Sequence, residues 1–360
     1  KETRGRALRK GESQRKSDGR YVYTYTDPLG RRKFIYSMDL MELREKEKKL
    51  MKDQLDGLDL YAAGKATVND TFDRYMSTKF DLRDSTRSGY LYNWDHFVRD
   101  DFGKKKLIDV KYSDVLQYYY YLINDLDLEL NTVDKIHCLL HPTFQLAVRD
   151  DIIRKNPTDG VMREIKKKAG KNKGVRHALT IEQQRAFTEF IAIHPVYYRW
   201  YPIFTVLLGT GMRIGECLGL CWNNIDYANN CIVVDHSMVY YPVGEDRRSE
   251  RRISKPKTEA GIRKIPLLDV VKDAFEMERE EQKETGFNHS TIDGMSGFVF
   301  QNRFGDVPNP QTVNSAIKRI VASYNNDELL NAKKEKREPL LLPDFSCHHL
   351  RHTFATAMLN

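Results

Sequence analysis

The stretch "GTGMRIGECLGLCW", Gly209 to Trp222, holds two charged residues within an apolar, glycine-rich segment. The glycines indicate a turn before a helix that carries Arg213, and Glu216 follows at the i+3 position on the same face. On an exposed helix such a pair would contribute only about 0.2–0.5 kcal/mol. The apolar neighbours instead indicate a buried helix start, where a guanidinium needs a partner or a ligand anion. A phosphate fits this requirement, because it accepts two parallel hydrogen bonds from arginine.

A second basic cluster lies in "CHHLRHTFATAMLN", Cys347 to Asn360. If the segment is helical, His348, Arg351 and His352 share one face. Histidines four residues apart can share a zinc ion, so a zinc hydrolase is one alternative. However, His349 stands where an HExxH motif has its glutamate, and Arg351 would point positive charge at the metal. Arginine and histidine without an acidic cluster favour a metal-free phosphate site.

The third segment is "KPKTEAGIRKIPL", Lys255 to Leu267. Lys257 precedes a turn, and an alternating strand follows, which predicts a lysine at the tip of a hairpin. An ammonium group there can reach into a groove and give up a proton. Lysines at hairpin tips are more often simply solvated, so Lys257 gains weight only beside the other two segments.

The charge distribution predicts a nucleic-acid partner. The chain has 59 Lys and Arg against 51 Asp and Glu, a net charge of +8. Residues 1–37 hold eleven basic residues and four acids, and residues 161–177 hold seven and one. Basic arms of this kind steer proteins onto phosphates, although a solubilising tail or an anionic membrane surface would use the same charges. The five cysteines form no CxxC pair, which favours a reducing compartment.

The rest of the chain divides into modules. Residues 20–26 and 31–37 alternate like two strands and precede a helical pattern, which predicts a small basic sheet-plus-helix module able to enter a DNA groove. Only helices are predicted between Thr67 and Asn156. Residues 161–177 are basic, contain two glycines and are interpreted as a linker rather than a packed element.

In order and spacing, "TGMRIGECLGLCWNNID", "KTEAGIRKIPL" and "HHLRHTFAT" resemble the signature segments of the tyrosine recombinases, the lambda-integrase-like family. The direct resemblance covers Leu179 to Asn360. The helical module resembles that family's core-binding domain. The N-terminal module resembles the arm-type DNA-binding domain of conjugative-transposon integrases.

The resemblance implies a role for each matching residue. Arg213 and Arg351 would grip the scissile phosphate, Lys257 would protonate the departing 5′-oxygen, and His348 would hydrogen-bond the phosphate. Glu216 and His352 would support the site. Cofactors and metals are not implied. We expect DNA contacts from Arg20, Arg31, Arg32, Lys33, Lys166, Lys167, Lys168, Arg247, Arg248, Arg251 and Arg252.

The chain departs from the family pattern in one respect. The nucleophilic tyrosine of the family lies some three dozen residues beyond the HxLRH box, and no tyrosine occurs here after Tyr324. Tyr324 precedes the box and is not expected to be the nucleophile, so we expect the sequence to stop before it. The alternative is a catalytically inactive DNA-binding regulator of the same fold.

The resemblance and the patterns together predict a multidomain protein, mainly α with small β-sheets. We expect an α+β arm-binding module at residues 1–63, an all-α core-binding domain at 64–160, a basic linker at 161–177 and an α+β catalytic domain at 178–360. The expected activity is metal-independent, site-specific DNA cleavage and rejoining, as a tetramer on double-stranded DNA with arm and core sites. DNA-bending accessory proteins are possible partners, a membrane is not, and the expected location is the cytoplasm, associated with the nucleoid.

Overall fold

The computed structural model describes residues 7–26, 32–55, 64, 66–169, 178–243, 248–256 and 259–358. The chain forms two compact units, Lys1–Asn172 and Lys173–Asn360. In the described parts of the chain, no helix is both long and apolar enough to cross a membrane.

The first unit begins with a three-stranded antiparallel sheet in the order β1-β2-β3. Its strands are β1 (Glu12–Gln14), β2 (Tyr21–Thr26) and β3 (Arg32–Ser37), and helix α1 (Leu40–Leu55) follows. Tyr21 and Tyr23 point from β2 onto Leu40 and Leu43 of α1 and form a small core with them. Because side chains alternate along a strand, Phe34 and Tyr36 of β3 lie on the other face, where they are exposed beside the buried Val22 of β2.

The same unit contains a helical module with a core of its own. Its elements are α2 (Val68–Ser77), α3 (Asp84–Asn93), a π-helical turn (Trp94–Val98), two 3-10 turns (Phe102–Lys104 and Leu107–Asp109), α4 (Tyr112–Asn124), α5 (Leu130–Arg149) and α6 (Val161–Ala169). Phe72 stacks on Trp94 with 3.7 Å between ring centroids. The indole N–H of Trp94 donates to Asn69 at 3.0 Å, so the buried ring keeps its hydrogen bond.

The interpretation of residues 161–177 as a linker is wrong for the part that the structure describes. Residues 161–169 form α6, and Val161, Met162 and Ile165 are buried in the core of the helical module. Apolar side chains at i, i+1 and i+4 line one helical face, and this short pattern is hidden among lysines in the sequence. Residues 170–177 lie outside the described residues.

The second unit surrounds the buried helix α8 with helices and two small sheets. Its helices are α7 (Ile181–Ile193), α8 (Tyr201–Thr210), α9 (Ile214–Gly219), α10 (Asp269–Thr285), α11 (Pro310–Glu335) and α12 (Cys347–Ala357). Its strands are β4 (Ile225–Asp226), β5 (Cys231–Val234), β6 (Ser237–Val243), β7 (Arg248–Ser254) and β8 (Arg263–Pro266). Strands β4, β5 and β8 form one antiparallel sheet, and β6 and β7 form a separate hairpin. The predicted fold class, multidomain and mainly α with small sheets, is confirmed.

A carboxylic acid is buried on α10. Glu278 is 8% exposed and accepts a hydrogen bond from the Gln282 side chain at 2.7 Å. The same Gln282 nitrogen also donates to the Val299 carbonyl, while the Gln282 side-chain oxygen has no partner. Burial raises the pKa of Glu278 to about 7, and the bond from Gln282 offsets only part of that effect.

Replacing Glu278 by glutamine is therefore expected to stabilise the protein at pH 8. The raised pKa means that the folded state holds a proton that the unfolded state releases above its ordinary pKa of 4.5. Wild-type stability should fall as pH rises from about 4.5 to 7, by at most about 3 kcal/mol. The neutral amide of the variant would avoid this loss and could donate to the unpaired Gln282 oxygen. Calorimetric melting at pH 5 and pH 8 checks the difference between the variant and the wild type.

The matched control for this prediction is Glu284→Gln, at an exposed position of the same helix. It should keep the wild-type dependence of melting temperature on pH. A Glu278→Gln protein whose melting temperature followed the same pH curve as the wild type would contradict the prediction.

Candidate active site

Gly211 forms the junction between α8 and α9. It closes the C-terminus of α8 in the left-handed conformation, with φ of +60°. A Cβ atom at this position would overlap a ring carbon of Phe354 on α12. Glycine is therefore required both by the backbone angle and by the close approach of α12.

Arg351 reaches from α12 to this junction. Its Nη1 atom donates to the carbonyl oxygen of Gly211 at 2.5 Å. Burial lowers the pKa of Arg351, and the positive charges of Arg213 and Arg263 lower it further while Glu216 acts in the opposite direction. Arginine remains a cation in proteins, so several guanidinium groups share this part of the second unit.

Glu216 connects two of these guanidinium groups. It lies in the first turn of α9, and its side chain is 9% exposed. The carboxylate accepts from the backbone N–H of Arg213 at 2.8 Å and from the Arg213 side chain at 2.9 Å. Two further bonds come from Arg263, at 3.1 and 2.7 Å. Burial alone raises the pKa of Glu216, but the bonds from Arg263 and Arg213 outweigh it, so the pKa lies below its ordinary value.

Arg213 differs from its neighbours in exposure. Its side chain is 59% exposed, although its backbone starts a buried helix. Only Nη1 of its guanidinium bonds to Glu216 among the described contacts. The other N–H donors remain able to bind an oxyanion, and a bidentate phosphate contact needs two of them.

Arg263 belongs to the site, although no sequence pattern assigned it a role. It lies at the start of β8, opposite Val234 of β5. The available signal was the alternation of Arg263 with buried Ile265, which predicts that both point to the same face of the strand. A charged residue on an inward face requires a partner, and Glu216 is that partner.

His348 and His352 lie together on α12. Their rings meet edge to face, with 4.7 Å between centroids, as the i, i+4 spacing predicts. The Nε2 atom of His352 is buried and has no hydrogen-bond partner. Within the described ranges, no group of three or more His, Cys, Asp or Glu side chains could hold a metal ion.

Three of the named residues fall outside the described residues: Lys257, Arg31 and Arg247. The structure therefore brings Arg213, Arg351 and Glu216 together, with His348 and His352 on the helix of Arg351. These groups can bind a tetrahedral oxyanion through fixed N–H donors and spread its charge over two guanidinium groups.

The proposed DNA-contacting residues of the first unit differ in their surroundings. Arg32 is exposed on the outer face of the N-terminal sheet. Lys33 lies on the opposite face together with Ile35, on the side that packs against α1. Arg20 pairs with Asp18 at 2.7 Å. On α6, Lys166 pairs with Asp134 and Lys168 pairs with Glu164, while Lys167 is exposed.

The β6–β7 hairpin carries the remaining basic candidates. Arg248 is exposed near the tip, opposite Val243. Arg252 is engaged by Asp293 at 3.0 Å and by Glu250 at 2.8 Å. Arg251 lies opposite Tyr240, and its Nε atom is buried without a partner.

Two family models match the chain. The phage integrase family matches residues 177–360, and the DNA binding domain of tn916 integrase matches residues 1–54. The transposase from transposon Tn916 of Enterococcus faecalis is 30% identical over 373 residues, covering 100% of this chain and 86% of that protein.

Solved structures of two integrases are also similar to this chain. The Tn1549 transposon integrase in complex with a circular intermediate DNA superposes with a TM-score of 0.70 and 27% identity, covering 81% of this chain and 86% of that one. A lambda integrase tetramer bound to a Holliday junction has a TM-score of 0.51 at 15% identity, covering 98% of this chain and 91% of that one, and shares the fold.

Proposed function

This chain belongs to the phage integrase family and is a tyrosine recombinase of the conjugative-transposon type, which performs site-specific recombination on DNA. We propose which of its residues carry out each step of that reaction. In the proposed reaction a tyrosine hydroxyl loses its proton, with assistance from His348, as its oxygen attacks the scissile phosphorus and displaces the 5′-oxygen of the next nucleotide. The enzyme is left joined to the DNA by a 3′-phosphotyrosyl bond, and the 5′-oxygen takes up a proton. Attack by a 5′-hydroxyl reverses these steps and rejoins the strands.

Arg213 and Arg351 stabilise the transition state in this proposal. Negative charge accumulates on the non-bridging oxygens as the fifth bond to phosphorus forms, and fixed guanidinium donors lower its energy. His348 hydrogen-bonds the phosphate, and Lys257 donates the proton to the departing 5′-oxygen. Glu216 and His352 hold these groups in position without reacting.

The observation that best supports the proposal is the contact between distant segments. Arg351 donates to the carbonyl of Gly211, two residues before Arg213, and both arginines lie around Glu216. A duplex with a nick near the target phosphate provides the test, because the short strand diffuses away after cleavage and traps the adduct. The full-length protein should then migrate as a covalent protein–DNA species on a denaturing gel. Absence of that species on any transposon-end DNA would reject the mechanism.

An inactive DNA-binding regulator was the alternative. Neither the described residues nor the similar proteins give a specific observation in its favour. The same gel distinguishes the two functions, because a regulator would shift DNA on a native gel and leave no covalent species.

We further propose that the outer face of the N-terminal sheet contacts arm-type DNA sites. Phe34 and Tyr36 are exposed on β3, opposite Thr24 and Val22. The guanidinium groups of Arg15 and Arg20 each lie 5.8 Å from the Tyr36 ring centroid. Exposed aromatic and basic groups on a narrow sheet suit a DNA groove.

Replacing Arg32 by alanine is expected to weaken binding to arm-site DNA. Loss of one phosphate contact should reduce the slope of log K against log salt by about 0.9. Fluorescence anisotropy titrations between about 50 and 200 mM salt measure this slope, over the range in which electrostatic binding weakens. Lys49→Ala, on the exposed side of α1, is the matched control and should keep the wild-type slope. An unchanged slope for Arg32→Ala would remove Arg32 from the proposed surface.

Assembly and location are also proposals. The lambda integrase tetramer is bound to a Holliday junction, and we propose that this chain likewise acts as a tetramer on two duplexes. DNA-bending accessory proteins would bring arm and core sites together. A DNA substrate implies action in the cytoplasm, in association with the nucleoid.

A further inference from the structure

We propose that Arg263 is a positioning residue that acts through Glu216 to keep the Arg213 guanidinium available for the DNA phosphate. The inference rests on the proposed function of the site. Arg263 itself is not required to touch DNA.

The strand that carries Arg263 fixes its direction. In β8, Arg263 and Ile265 lie on one face, and Lys264 between them is exposed on the other. Pairing with Val234 of β5 holds the backbone of Arg263 at the sheet. Its side chain is 27% exposed, about half the exposure of the Arg213 side chain.

The hydrogen bonds show how Glu216 is divided between the two arginines. Nη1 and Nη2 of Arg263 each bond to a different oxygen of Glu216, the two-pronged geometry that guanidinium forms best with carboxylate. Arg213 adds one side-chain bond and one backbone bond. Because Glu216 already accepts four hydrogen bonds, it has little capacity to accept another from a second guanidinium nitrogen of Arg213.

Loss of Arg263 would leave Glu216 with two fewer hydrogen bonds, and Arg213 is a donor that could replace them. A buried carboxylate that loses two charge-assisted bonds must replace them. The remaining N–H groups of Arg213 can supply them, because Arg213 already bonds to Glu216 through Nη1. Their use on Glu216 would turn the Arg213 fork away from the phosphate.

The charges lead to the same conclusion. A carboxylate next to a phosphate-binding arginine repels the phosphate unless a second cation balances it. Arg263 balances the charge of Glu216, so the positive charges of Arg213 and Arg351 remain to attract the phosphate.

The test uses the full-length protein with Arg263→Met, Glu216→Gln and the double variant. Arg263→Met keeps most of the length of the side chain but removes its charge, and we expect a roughly ten- to hundred-fold slower single-turnover cleavage. The dissociation constant for DNA should change by less than about two-fold, since other contacts dominate affinity. The double variant should recover to within a few-fold of Glu216→Gln, because neutral glutamine no longer competes for Arg213.

Two controls complete the design. Lys264→Met, on the opposite face of β8, should cleave at the wild-type rate. Arg263→Lys should fall between wild type and Arg263→Met, because it restores the charge without the two-pronged geometry.

Two outcomes would overturn the inference. Cleavage by Arg263→Met at the rate of Lys264→Met would exclude the route through Glu216. A double variant that falls as far below Glu216→Gln as Arg263→Met falls below the wild type would also exclude it. If Arg263→Met alone fails to fold, a folded, cleaving double variant still supports the inference, and an inactive one rejects it. A wild-type protein without any covalent adduct would instead reject the proposed function itself.

Discussion

Replacing Arg351 by lysine is expected to slow DNA strand cleavage by about 10²- to 10³-fold, the usual effect of removing one fixed donor to a developing oxyanion. Nη1 of Arg351 is already engaged by the Gly211 carbonyl, and this bond orients the rest of the guanidinium. A lysine has its three donors on one nitrogen, so it cannot hold the carbonyl and present two parallel donors to a phosphate.

Single-turnover cleavage of nicked transposon-end DNA measures this effect. Binding to intact DNA should weaken far less than the rate, because the lost interaction is strongest in the transition state. Arg319→Lys, at an exposed position on α11, is the matched control and should react like the wild type. A rate for Arg351→Lys within about three-fold of the wild type would show that Arg351 does not contact the reacting phosphate.

Replacing Gly211 by alanine is expected to destabilise the second unit by about 2–5 kcal/mol. A left-handed backbone angle costs an L-residue about 1–2 kcal/mol, and a methyl group forced against a packed ring costs about 1–3 kcal/mol more. The ring is that of Phe354, which the new Cβ would overlap. Displacement of α12 would also carry Arg351 away from the site, so cleavage should be lost together with stability.

A matched glycine separates the two contributions. Gly297 has φ of +74° and open space around its Cβ position, so Gly297→Ala should show the backbone cost alone. The melting temperature of Gly211→Ala should fall well below that of Gly297→Ala. Equal melting temperatures would mean that α12 does not need the close approach at Gly211.

The sequence predicted the elements of the fold better than their contacts. The alternation in residues 20–26 and the helical pattern around His348 correspond to β2 and α12. Both are local patterns that a single segment carries by its own periodicity. The prediction for residues 161–169 was wrong because three buried apolar side chains are too few to outweigh a run of lysines in a composition-based interpretation.

The site shows the same limit. The i+3 spacing of Arg213 and Glu216 was visible in the sequence. The apolar neighbours correctly indicated burial of Glu216, whereas the Arg213 side chain is 59% exposed. The third member, Arg263, lies 47 residues beyond Glu216 on a different element. Only the pairing of β5 with β8 brings it there, and no local pattern encodes that pairing.

The bond between Arg351 and Gly211 spans 140 residues of sequence. At a synthesis rate of about 5–20 residues per second, Arg351 leaves the ribosome roughly 7–28 s after Gly211. The N-terminal modules proposed to bind DNA emerge before Arg351, so the two arginines are brought together only after those modules have been synthesised. A polypeptide that ends before Arg351 therefore cannot form this bond, whichever modules have already folded.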